Sequence, residues 1–311
     1  MPITRTTLLS GPAAATFNGH TFFARDGILA TPALELDEVE SDANGWLDET
    51  VAEAPVTIRF TPSAPFADLI ALYPWLEGAA GTALFGTSDV PLVLVAANGV
   101  RLTFAAAAII EMPELKLSDR GTVAGTVTFL AIGARAQAVT AANRFVAIDI
   151  ATPPTPPAGT PQLTDDFAIT WSDSPWASLR SLEGITVKFA MKTRPVWSDA
   201  NALLDVTLEK LAVEARFTPA SPGGPAESDL VAALQLQGAN ALPGRSLAAT
   251  ASTLDIAGEH LWVRLPQAQL VRGEMAFDAT QPRIGELVFM AERAWMNSGA
   301  EALALLTEGM P

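Results

Sequence analysis

The sequence predicts a mainly β protein made of two tandem copies of one unit, each with a long hairpin and one flanking helix. Three observations carry that expectation. Ser41 to Pro65, SDANGWLDETVAEAPVTIRFTPSAP, returns 157 residues later as Ser198 to Pro222, SDANALLDVTLEKLAVEARFTPASP. Shared strand periodicity reproduces alternating valines, but not SDAN followed at one fixed distance by RFTP. Apolar residues elsewhere alternate with period two, as in Ile185, Val187, Phe189 and Met191 against Thr186, Lys188, Ala190 and Lys192, the pattern of a strand with one buried face. Finally, 311 residues suffice for two domains that each bury a core. The expected division is residues 1–150, a linker over 151–161 and residues 162–311.

Met1 to Phe23 mixes polar and small residues and suggests no single element. Gly27-Ile28 matches Gly184-Ile185 at the same separation of 157, so the repeat begins upstream of SDAN. An acidic run, Asp37, Glu38, Glu40 and Asp42, leads to Asn44-Gly45 at the expected hairpin tip. The returning strand of the second copy reads Leu204, Val206, Leu208, then slips phase near Lys210 before Leu211, Val213 and Phe217. One extra residue, a β-bulge, produces such a slip.

After RFTP the period changes to helical. Phe66, Leu69, Ile70 and Tyr73 fall on one face between Pro65 and Pro74, and Pro225 to Leu236 offers Leu230 and Leu234 in the second copy. PLVLVAANGVRLTF predicts a hairpin turning at Asn98-Gly99, and Leu254 to Leu265 one turning near Gly258. ELKLSDRGTVAGTVTFLA from Glu114 matches EMAFDATQPRIGELVFMA from Glu274 at a separation of 160, aligning Glu114 with Glu274, Gly125 with Gly285 and Phe129 with Phe289. Between the copies, ATPPTPPAGTP is proline-dense and reads as a semi-rigid linker. The end of the chain, with Asn297 or Ser298 as a cap, predicts a short helix to about Thr307.

Composition excludes several functions. There is no cysteine, hence no disulfide, thiolate nucleophile or cysteine zinc site, and His20 and His260 leave little for imidazole chemistry. A net charge of −15 argues against a surface that displaces counterions from nucleic acid. Residues 1–155 carry 8 basic and 16 acidic side chains and residues 156–311 carry 11 and 18, so both halves are acidic. No apolar run reaches the roughly 18 residues of a membrane span, and Met1 to Thr16 lacks the pattern of a secretory signal. The expectation is therefore no membrane insertion, and synthesis in the cytoplasm without processing.

Candidate sites give way to plainer readings. Counted from Glu40, a calcium loop would need a bidentate glutamate where Val51 stands, and Ala202 replaces Gly45 in the second copy, so a solvated hairpin tip is the reading there. Asp37 and Glu38 do not make a glycosidase pair, because adjacent strand residues point to opposite faces. Gly121 and Gly125 lack the strand-to-helix context of a phosphate loop. None of Trp46, Trp75, Trp171, Trp176, Trp197, Trp262 or Trp295 is singled out as a sugar platform. No enzyme activity, cofactor or metal is expected.

At Leu102 to Gly133, LTFAAAAIIEMPELKLSDRGTVAGTVTFLAIG, the chain resembles tail tube and related virion proteins of long-tailed bacteriophages. A strand, a small-residue segment, Met112-Pro113, an alternating strand and a glycine-containing strand ending in TF carry the resemblance. It implies two tandem tail-tube-like domains, each a β-barrel or sandwich with a flanking helix. It further implies rings stacked into a tube that DNA crosses without specific binding, with other tail proteins at its ends and in its lumen, in the virion tail. Most such subunits carry one domain and form sixfold rings; two domains per chain imply homotrimeric, pseudo-hexameric rings. An acidic lumen repels phosphates. Asp42, Asn44, Asp199 and Asn201 at the repeated tips are the candidate assembly contacts. The competing expectation is a duplicated β-domain at the tail tip or on a cell surface that recognises carbohydrate or protein.

Overall fold

The computed structural model describes residues 13–33, 35–41, 45–53, 55–74, 76, 81–86, 89–118, 121–132, 146–155, 166–171, 176–198, 202–220, 227–234, 251–277, 282–292 and 304–308. The fold is mainly β, with two curled antiparallel sheets, one of them a half-barrel. The first half contributes β1 (Ala13–Phe17), β2 (His20–Pro32), β3 (Glu35–Ser41), β4 (Gly45–Glu53), β5 (Val56–Ser63) and α1 (Phe66–Ile70). β6 (Leu92–Ala96), β7 (Val100–Phe104), β8 (Ala106–Glu111), β9 (Leu115–Ser118), β10 (Gly121–Ala124), β11 (Val127–Ile132) and β12 (Val146–Ile150) follow. The second half holds β13 (Ala168–Trp171), β14 (Ser181–Ser198), β15 (Ala202–Pro219), α2 (Glu227–Ala233), β16 (Ser252–Ala257), β17 (Leu261–Phe277), β18 (Pro282–Glu292) and β19 (Leu305–Glu308).

One sheet runs β12-β7-β6-β1-β2-β5-β11-β8 and the other β10-β9-β14-β15-β18-β17-β16-β13, with β19 on β17 and β3-β4 pairing separately. β9 and β10, from the first half, therefore stand in the second sheet.

Registers in the two halves recur at the sequence separations. Leu29↔Arg59 and Thr128↔Arg59 in the first sheet have counterparts in Thr186↔Arg216 and Arg216↔Val288 in the second. The irregularities recur too. β15 holds extra residues at Glu209 and Leu204 opposite β14, and β4 holds extra residues at Ala52 and Leu47 opposite β3, each 157 positions earlier. The bulge at Glu209 is the phase slip expected near Lys210: Val206 and Leu208 are buried before it, Leu211, Val213 and Phe217 after it.

Two aromatic clusters sit in the same places. Phe60 stacks on Phe129 at 5.9 Å while Phe17 meets that ring edge-on at 5.0 Å; Phe217 stacks on Phe289 at 5.8 Å while Trp171 meets it edge-on at 5.1 Å. Phe129 and Phe289, at the centres of these clusters, are fully buried, and each ring carries a large apolar area into its sheet's core. The core is continuous between the halves: Tyr73 of the first lies 4.8 Å from Phe189 of the second, and the backbone of residues 81–84 hydrogen-bonds β15 at Val206 and Leu208.

Three expectations need correction. The helical pattern from Phe66 to Tyr73 yields only Phe66–Ile70, after which the chain turns; α2 (Glu227–Ala233) lies within the stretch expected from Pro225 to Leu236. The expected C-terminal helix fails at its end, because Leu305–Glu308 is a strand paired with Leu261–Arg264. The unplaced opening contains a hairpin, β1-β2, turning at Asn18-Gly19. Of the linker, residues 151–155 carry no regular structure, and Ala151 N donates to Gly99 O at 2.8 Å. Among the described residues no helix is long and apolar enough to cross a membrane.

Candidate assembly interface

The place where one half extends the sheet of the other is built by β9. Its sequence alternates Leu115, Lys116, Leu117, Ser118, so both leucines point to one face and are fully buried, while Lys116 is exposed. β9 pairs antiparallel with β14 through Leu115↔Val187, Lys116↔Thr186 and Leu117↔Ile185. Val187 and Ile185 are buried as well, so the added strand continues the apolar face without a step.

The hairpin reaches this sheet because the chain breaks on both of its sides. Met112-Pro113-Glu114 separates β8 from β9, and Gly125-Thr126 separates β10 from β11. Pro113 supplies no backbone donor to a ladder. Gly125 N donates to Glu114 O at 2.7 Å, and a Cβ on Gly125 would stand 2.8 Å from Glu114 Cγ, so the two strands cross closely at the break. In the second half β17 and β18 each run through the corresponding positions as one strand, with ladder shifts between Leu270 and Arg272 and between Gly273 and Met275.

On β14 the landing point is a bulge between Ser181 and Ile185 that contains Gly184 at φ +98°. L side chains rarely adopt that backbone. There is also no room for one: a Cβ would stand 2.7 Å from the carbonyl oxygen of Leu117.

Beside this junction lies a surface cavity of about 660 Å³ whose charged lining is Glu114, Lys116, Glu183, Lys188, Arg216 and Glu286. Most charges on this face and its continuation are paired. Lys116 Nζ lies 3.2 Å from Glu114, Arg272 Nη2 lies 2.8 Å from Glu274 and 3.3 Å from Glu286, Lys192 lies 2.7 Å from Glu209, Lys210 lies 3.0 Å from Glu292, and Arg216 Nε contacts Glu214. The hydrogen bond from Lys192 holds the Glu209 carboxyl below its ordinary range, and the hydrogen bond that Arg216 donates to Glu214 raises the guanidinium's pKa against the opposing effect of burial. Both shifts favour the charged forms. Three of these pairs, Arg272–Glu286, Lys192–Glu209 and Lys210–Glu292, tether neighbouring strands, and the others join residues two apart on one stretch of chain; among the described residues no group of three His, Asp or Glu side chains can hold a metal.

Asp42, Asn44, Asp199 and Asn201 lie outside the described residues; the strands flanking them pair at Ser41↔Gly45 and Ser198↔Ala202. His20 Nδ1 lies 2.8 Å from Asp68 Oδ1 and ties β2 to α1. Trp171 and Trp176 are core residues, and Trp171 Nε1 donates to Ala268 O at 3.0 Å; Trp262 is buried beneath the Arg264 guanidinium, 4.3 Å from its ring. Sequence reasoning missed the β9-β14 junction. Its signal was the pair Gly27 and Gly184, both at positive φ, which alignment noted and conformation explains.

No protein-family model matches this chain, and no curated protein matches it.

Proposed function

We propose that the chain is a non-enzymatic structural subunit of a bacteriophage tail tube, in which three chains form a pseudo-hexameric ring and rings stack into a conduit for DNA. The observation that carries this reading is the β9-β14 junction, where a hairpin of one half becomes the next strand of the other half's sheet. Repeated from half to half, that geometry closes a continuous sheet around an axis and leaves no open edge. The reading of the halves as copies of one β-barrel-like unit with a flanking helix is supported by the recurring registers, bulges and aromatic clusters.

A net charge of −15 suits a wall that phosphates cross without adhering, and the ion pairs beside the junction neutralise the cations there. In this reading other tail proteins occupy the ends and lumen of the tube, and the protein resides in the virion tail. Negative-stain images of the purified, concentrated protein test it. Rings or tubes are expected; isolated particles that bind a carbohydrate or protein would favour the alternative of a recognition module.

A further inference from the structure

β14 has partners on both edges over Ile185–Val187, β15 on one side and β9 on the other. β2 has β5 on one edge over Ile28–Ala30, through Ile28↔Phe60, Leu29↔Arg59 and Ala30↔Ile58. Its second edge holds β1 only over His20–Phe23, and among the described residues no strand pairs with it at Ile28–Ala30.

The backbone is nevertheless shaped for a partner there. The β2-β5 ladder shifts between Ala24 and Ile28 as the β14-β15 ladder shifts between Ser181 and Ile185, and Gly27 takes φ +86° as Gly184 takes +98°. The space beyond Gly184 is filled by Leu117 O at 2.7 Å, whereas nothing lies within 4 Å of a Cβ placed on Gly27. Next to that gap Leu29 is 62% exposed.

The complementary edge is on β17. Its end pairs with β18 through Met275↔Ile284, Ala276↔Arg283 and Phe277↔Pro282, which repeats Leu115↔Ala124, Lys116↔Val123 and Leu117↔Thr122 of β9-β10 at a separation of 160. β9 uses its outer edge on β14; over Met275–Phe277, β17 pairs only with β18 among the described residues.

We propose that β17 of one chain adds to β2 of a second copy, antiparallel, with Met275 opposite Ala30, Ala276 opposite Leu29 and Phe277 opposite Ile28. This is the register that β9 already uses on β14. The occupant is a second copy because the strand that fits is the chain's own counterpart of β9, and because the same placement covers another exposed patch. Within the chain α1 packs against β19, and β12 stands on β7 as β19 stands on β17. A second copy docked by its β17 brings its α2 to β12, where Ile148 and Ile150 are 53% and 68% exposed. The contact is head-to-tail, so it makes a closed ring or an open filament according to the rotation per chain. The inference rests on the ring reading for closure after three chains.

The absence of cysteine makes the register testable by cross-linking. Directly opposed residues of an antiparallel pair have Cα atoms about 4.5–5.5 Å apart, inside the range a disulfide spans. The chain carrying Leu29→Cys with Ala276→Cys, oxidised at assembling concentration, is expected to form covalent multimers that reduction returns to monomer. Lys116→Cys with Thr186→Cys should close within one chain, and Leu29→Cys with Ser252→Cys should remain monomeric. Monomer from the first variant while the Lys116-Thr186 pair closes overturns the proposal. So does failure of the Lys116-Thr186 pair, or equal multimer yield from the Ser252 combination. Rings that form but never cross-link at 29 and 276 sink this pairing and leave the ring reading standing; cross-linked open chains do the reverse.

Discussion

Replacing Gly184 and Gly27 by alanine separates backbone strain from steric exclusion, because the two glycines share one conformation and differ in what lies beyond them. At φ +98° and +86° each alanine carries a similar left-handed penalty, about 1–2 kcal/mol. Only at Gly184 does the new Cβ meet an obstacle, the Leu117 carbonyl at 2.7 Å, and a backbone oxygen cannot rotate aside as a flexible side chain can. The β9-β10 hairpin must then move off β14, which loosens a ladder of three residue pairs. At roughly 1 kcal/mol net per hydrogen bond, that adds about 2–3 kcal/mol to the cost at Gly184 alone. Urea unfolding of dilute monomer reads the difference as a lower midpoint for Gly184→Ala than for Gly27→Ala at unchanged slope. Equal midpoints, or a larger loss at Gly27, would refute the reasoning that Gly184 is an occupied landing site and Gly27 a vacant one.

Three further outcomes are expected. Tyr73 is buried with its hydroxyl unpartnered among the described residues, and burial raises its pKa well above the ordinary value; Tyr73→Phe should therefore stabilise the chain by about 1 kcal/mol, and a clear loss in thermal or urea unfolding would point to an unrecognised partner. The Arg101 guanidinium, hydrogen-bonded to Asp149 through both oxygens, holds that carboxyl below its ordinary range, so the pair adds stability above the unfolded carboxyl pKa and loses it as pH falls through the folded value. Asp149→Asn should lower stability at neutral pH and flatten the acid limb of a pH series; an unchanged limb would show that the clip of β12 to β7 contributes nothing. Asp42→Lys with Asp199→Lys should impair tube formation while leaving the monomer's unfolding midpoint nearly unchanged, and normal tubes from that variant would remove the hairpin tips from the assembly contacts.

Much of the fold was legible because it depends on local period. The phase slip near Lys210 marked the bulge at Glu209, and Asn98-Gly99 marked the β6-β7 turn, where Asn98 Oδ1 accepts from Val100 N at 3.3 Å. What local period cannot encode is the identity of a strand's neighbour. The alternation of Leu115 and Leu117 announced a strand with one buried face, but its choice of β14 over the sheet of its own half depends on the breaks at Pro113 and Gly125 and on the bulge at Gly184. The C-terminal segment failed for a related reason. Leu305–Glu308 satisfies the edge of β17 at Leu261–Arg264, and that tertiary pairing overrides the helical composition around it. The pairing proposed at β2 had no such signal, because the exposed Leu29 beside Gly27 stands in an otherwise ordinary alternating strand.

The central claim is that each chain supplies two equivalent units to a closed ring, and the number of chains per ring tests it most directly. Single rings released from the assembled particle, classified without imposed symmetry and weighed by native mass measurement, should show six similar lobes from a mass of three times 32.6 kDa. Six chains in one ring, or a particle that never closes, would contradict it.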